Sequence, residues 1–179
     1  SFTNVKLDDA FVFPGKLILA QVIEIKTSES LTIEEIVLKN TATASDPKTK
    51  IRGADLEYIE IRRGSETGQV LAKKETNLEG LENLEKEGVT IEVSDNNFFS
   101  EGTHRLYILV KLKADENLIG KKLALGDTEV IGASVFYPTT APAATFTVVG
   151  PRVEFEDLGF TEAVVYRGQR FLAARILVD

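Results

Sequence analysis

Alternation of apolar and polar residues, the period of a half-buried strand, dominates the chain. In residues 16–25 (KLILAQVIEI) Leu17, Leu19, Ile23 and Ile25 alternate through part of the run. Residues 31–39 (LTIEEIVLK) form a second β-rich stretch, closed by a loop of Thr, Ala, Ser, Asp, Pro and Lys over 40–50. Residues 57–63 (EYIEIRR) place Tyr58, Ile59 and Ile61 in apolar surroundings and turn Glu60 and Arg62 to water, and 89–93 (VTIEV) repeat the pattern in miniature. The strongest strand is 104–113 (HRLYILVKLK), with Leu106, Ile108, Val110 and Leu112 on one face and Tyr107, Leu109 and Lys111 on the other. Two largely apolar faces place it centrally in a sheet. A further strand covers 129–137, after the turn Gly126-Asp127. Leu78, Leu81 and Leu84, at three-residue spacing, predict one short helix over 78–87, stopped by Gly88.

About ten strands and one helix predict an all-β fold, an Ig-like antiparallel β-sandwich over residues 1–137. Residues 138–150 contain the Pro- and Ala-rich run PTTAPAA and read as a linker or edge strand, with 145–149 able to form a strand. Residues 151–179 then open a β segment resembling the N-terminal one. Residues 10–25 (AFVFPGKLILAQVIEI) align without a gap on 163–178 (AVVYRGQRFLAARILV), with identities at Ala10/Ala163, Val12/Val165, Gly15/Gly168, Leu19/Leu172, Ala20/Ala173 and Ile23/Ile176. Upstream, the pattern of 5–9 (VKLDD) matches that of 153–157 (VEFED). Two hairpins drawn from one alphabet can look alike by chance; the sharper reading is a second copy of the domain. A lone hairpin is marginal in water, so three arrangements follow. The segment closes its own sandwich, pairs with a sheet edge of a neighbour, or belongs to a truncated second domain.

Composition removes whole classes of function. The chain has 179 residues, a formal net charge of −7, and no Cys, Met or Trp. Without cysteine there is neither a disulfide framework nor a thiolate metal site. An acidic chain without a basic stripe is a poor nucleic-acid binder, and no apolar run approaches the ~20 residues of a membrane-spanning helix. Ser1 cannot be a translation start, which points to a processed or excised product. Few oxidisable side chains suit an exposed, extracellular location.

Catalytic motifs are missing as well. His104 is the single histidine and reads as a surface residue, and no nucleophile elbow, zinc helix or phosphate loop occurs. No cofactor is expected, and the chain reads as a non-enzyme. Asp8, Asp9, Asp95 and Asn97 offer oxygen ligands to Ca²⁺, but their spacing follows no calcium-loop code, and a solvated acidic surface accounts for them.

The runs VLKNTATA (37–44), GADLEYIEIRR (53–63) and GVTIEVSDNNFFSEGTHRLYILVKLK (88–113) resemble the Ig-like β-sandwich repeats of prokaryotic surface-layer and extracellular filament proteins. The resemblance implies a structural subunit that joins copies of itself into a homopolymer by strand exchange, with either terminus as the donor. On the residues themselves, association falls to the apolar members of the terminal hairpins: Phe11, Phe13, Leu17 and Leu19 at one end, and Val165, Tyr166, Phe171, Leu172, Ile176 and Val178 at the other. The alternative is a non-catalytic adhesin or carbohydrate-binding module of a secreted protein, disfavoured by the lack of Trp.

Overall fold

The computed structural model describes residues 1–43, 47–75, 83–138, 141–150, 153–156 and 175–178. They fall into two compact units, Ser1–Val149 and Gly150–Asp179.

The first unit is built almost wholly of strands. They are β1 (Phe2–Asn4), β2 (Ala10–Val12), β3 (Leu17–Thr27), β4 (Leu31–Asn40), β5 (Leu56–Arg63), β6 (Gln69–Glu75) and β7 (Val89–Glu92). After these come β8 (Phe98–Phe99), β9 (Gly102–Leu112), β10 (Lys122–Leu123), β11 (Leu125–Gly132), β12 (Val135–Phe136) and β13 (Phe146–Val148). One antiparallel sheet runs in the order β1-β3-β9-β5-β6, and a second runs β12-β11-β4-β7, with β8 pairing an end of β4. A small third sheet, β10-β13-β2, contains the parallel pair β13·β2. β9 is central to the first sheet, between β3 and β5, and its Leu106, Ile108, Val110 and Leu112 are all fully buried.

The sheets share one core. Ile23, Ile25, Ile59, Ile61 and Ile108 of the first sheet join Ile33, Ile36, Leu38, Ile91 and Val130 of the second, and the small sheet adds Leu123, Phe146 and Val148. Two inner faces meeting in one apolar layer make this an all-β, sandwich-like fold. β13 lies inside this unit, which ends at Val149.

Two buried polar side chains inside it are fully matched, whereas the buried Glu85 Oε2 has no hydrogen-bond partner among the described residues. Asn40, 1% exposed, donates from Nδ2 to the carbonyls of Ile51 (2.9 Å) and Lys122 (3.0 Å), while its Oδ1 accepts from the amides of Ala42 (3.1 Å) and Ala124 (3.0 Å). One side chain thereby satisfies the main chain of two crossing loops and the start of β10. Gln21, at a register shift in β3, donates to Asn4 Oδ1 (2.7 Å) and accepts from Thr128 Oγ1 (2.8 Å), linking β1, β3 and β11.

Three expectations need correction. The strand expected over 129–137 breaks at 133–134 into β11 and β12, which pair antiparallel as a hairpin. Of the helix expected over 78–87, residues 78–82 lie outside the described residues, and 83–87 form turns. The amides of Lys86 and Gly88 both donate to the Asn83 carbonyl, and Gly88 has φ +104°. Leu84 is fully buried and anchors this turn in the core. Glu60 does not face water: it is 7% exposed and paired with Arg62. β6, not anticipated from the sequence, places Lys73 opposite Glu60 and shields that face of β5.

In the second unit, β14 (Val153–Glu156) and β15 (Arg175–Val178) pair antiparallel as a two-stranded sheet. The register pairs Val153 with Val178, Glu154 with Leu177, Phe155 with Ile176 and Glu156 with Arg175.

Candidate association edge

Unpaired main-chain groups at a sheet edge are the natural seat of strand addition, and proteins usually shield them. Two sides of the sandwich are shielded here. β1 and β12 are only three and two residues long, and the rings of Phe2 and Phe136 stack between them at 4.6 Å. On the opposite side β6 carries Lys73, Lys74 and Glu75, and Lys74 Nζ donates to the Thr90 carbonyl of β7 at 2.8 Å.

β2 differs. Its pairing to β13 uses Ala10, whose amide donates to Thr145 O (3.1 Å), and Val12, whose carbonyl accepts from Val149 N (2.8 Å). In a parallel pair the donor and acceptor of one residue point the same way and alternate along the strand. The main chain of Phe11 therefore faces away from β13, on a side where β2 has no pairing strand among the described residues. Its ring is 76% exposed, and Phe13 (40%) and Leu17 (44%) are exposed beside it in sequence. The strand is held in place from its other flank: Asp9 Oδ1 accepts from Thr145 N at 2.7 Å, and Gly15 N donates to Lys113 O at 2.9 Å. Gly15 has φ +74°, which reverses the chain between β2 and β3. A cleft lined by Asp9, Ala10, Phe11, Lys122, Thr145 and Thr147 runs alongside.

Of the residues singled out in the sequence, Phe11, Phe13 and Leu17 thus come together at one turn, whereas Leu19 is half-buried in β3. Val165, Tyr166, Phe171 and Leu172 lie outside the described residues; Ile176 and Val178 are in β15. Val70, Phe98, Ile119, Val135 and Tyr137 are exposed apolar residues as well, the last two in or just after the short strand β12.

The remaining candidate groups do not converge. Among the described residues no three acidic or histidine side chains gather as a metal site. Asp9 is engaged in the bond to Thr145, and Asn97 Nδ2 donates to Val93 O at 3.2 Å. His104 is half-buried rather than fully exposed, with Nε2 2.8 Å from Ser100 O and its ring edge-on to Phe99 at 5.3 Å. The main charged cluster lies at the far end of β3, where Arg105 Nε and Nη2 both donate to Glu24 Oε2 (3.0 and 2.8 Å) and Lys26 sits 3.0 Å from Oε1. Arg105, and after it Lys26, hold the Glu24 carboxyl below its ordinary value of 4.5.

Comparison with protein-family models, with characterised proteins and with solved structures finds no match.

Proposed function

We propose that the chain is a non-catalytic structural subunit of an extracellular assembly, a filament or surface layer, whose copies associate by β-strand addition. The observation that carries this reading is the open edge of β2, with Phe11, Phe13 and Leu17 exposed at one turn while the neighbouring sheet edges are short, charged or capped. Strand addition supplies main-chain hydrogen bonds at the edge and seats apolar side chains beside it. The Ig-like repeat pattern and the scarcity of oxidisable side chains support the extracellular setting.

The test is the oligomeric state of the whole chain by sedimentation velocity over a concentration series. Association that rises with concentration is expected, and Phe11→Glu with Phe13→Glu should weaken it at least ~10-fold while leaving the melting temperature of the first unit in place, because both side chains are exposed. A monomer at every concentration, or a double variant that associates as before, overturns the reading.

A further inference from the structure

We infer that Gly150–Asp179 is the opening of a second copy of the Ser1–Val149 fold, and that the β14·β15 pair is completed by a complement folded like residues 27–149.

The register carries this. In the first unit Phe2 pairs with Ile25, Thr3 with Glu24 and Asn4 with Ile23. In the second, Val153 pairs with Val178, Glu154 with Leu177 and Phe155 with Ile176. The ungapped alignment of 10–25 on 163–178 already equates Ile25 with Val178 and Ile23 with Ile176. The pairing then equates Phe2 with Val153 and Asn4 with Phe155, so β14 and β15 are the counterparts of β1 and β3. This replaces the upstream match of 5–9 on 153–157. Asn4 and Ile23 pair 19 positions apart, Phe155 and Ile176 21 apart, so the second copy has two more residues in the connection.

A coordinated exchange supports the same register. Asn4 and Gln21 are hydrogen-bonded to each other in the first unit. Their counterparts are Phe155 and Ala174, so both polar partners become apolar together and neither is left alone. Val153, Phe155, Ile176 and Val178 share one face of the β14·β15 pair, while Glu154, Glu156, Arg175 and Leu177 share the other. In the first unit the matching face, Phe2, Ile23 and Ile25, lies in the core, and the free side of β3 carries β9. Among the described residues β15 pairs only with β14.

The complement resembles residues 27–149 without being identical to them. β9 is already flanked by β3 and β5, and its Arg105 is bonded to Glu24, whose counterpart is Leu177. A strand suited to β15 carries an apolar residue at that position. This goes beyond association at the β2 edge and stands independently of it.

The test extends the full chain after Asp179, the counterpart of Lys26, with a second stretch of residues 27–149, bearing Arg105→Leu and Thr128→Val in the added stretch only. A positive control replaces 153–179 with residues 2–26 ahead of the unaltered stretch 27–149, giving a true duplicate. Hydrogen exchange at 153–156 and 175–178 is the readout. The expected result is at least ~100-fold slower exchange in the extended chain than in the original, close to that of the duplicate. A duplicate that is protected beside an extended chain whose 153–178 exchange as fast as before overturns the inference, whatever the β2 variants do.

Discussion

At the scale of single residues, the most consequential side chain is polar and buried. Asn40 makes four hydrogen bonds to main-chain groups contributed by residues 42 and 51 and the segment 122–124. Asn40→Ala removes all four and leaves buried amides and carbonyls without partners, so it should cost on the order of 3 kcal/mol or more. A chemical-denaturation midpoint unchanged within error would contradict this. Glu24 makes a pH prediction. Its folded-state carboxyl titrates below 4.5 because of Arg105, so the stabilisation is present above the unfolded value and is lost as pH falls through the folded one. Glu24→Gln should therefore lower the melting temperature slightly at neutral pH, with the difference from wild type closing as pH falls below about 4.5, which makes the variant's acid profile flatter. A variant as acid-sensitive as the wild type contradicts it.

Elements show which parts of the fold were legible beforehand. Long strands with several alternations, such as β3, β4, β5 and β9, follow from the apolar pattern, and the doubly apolar β9 is central. Short strands do not: β8, β10 and β12 have two residues each, too few for a period to exist. β6 (QVLAKKE) was missed because its polar half resembles a loop, and Glu60 was misplaced for want of it. Of the association residues, the exposed turn Phe11, Phe13 and Leu17 was visible as surplus apolar character, but Leu19 could be assigned to neither core nor surface without the register. Register also makes glycine positions testable. At Gly132, where β11 shifts against β4, an added Cβ would lie 2.1 Å from the Thr32 carbonyl oxygen. Gly132→Ala should destabilise the unit by about 2 kcal/mol, because main chain rather than a side chain must move. The Asn4–Gln21–Thr128 chain gives an element-level coupling. Gln21→Ala alone leaves two acceptors or donors without their partner, whereas Gln21→Ala with Asn4→Phe reproduces the pair found in the second unit. The two changes should be non-additive by about 1 kcal/mol in a double-mutant cycle, the second offsetting part of the first.

For the whole molecule, the question is what each unit depends on. Ser1 donates to the Lys26 carbonyl at one end of β3, and Val149 donates to the Val12 carbonyl near the other end, so the chain enters and leaves the first unit at opposite ends of a strand about 33 Å long. The core of that unit is closed by its own residues, from Phe2 to Val148. A shortened chain comprising Ser1–Val149 should therefore melt within about 2 °C of the corresponding transition in the full chain, since no side chain of the first unit's core is lost. Truncating further, after Tyr137, removes β13, with Phe146 and Val148 from the core and the pairing partner of both β2 and β10. Two buried apolar side chains and two strand pairings are together worth several kcal/mol, enough to lower the transition by roughly 10 °C or more. Calorimetry of the two truncations separates the cases. If loss of residues 150–179 proves as damaging as loss of β13, the first unit is not self-sufficient, and the boundary at Val149 does not mark a folding unit.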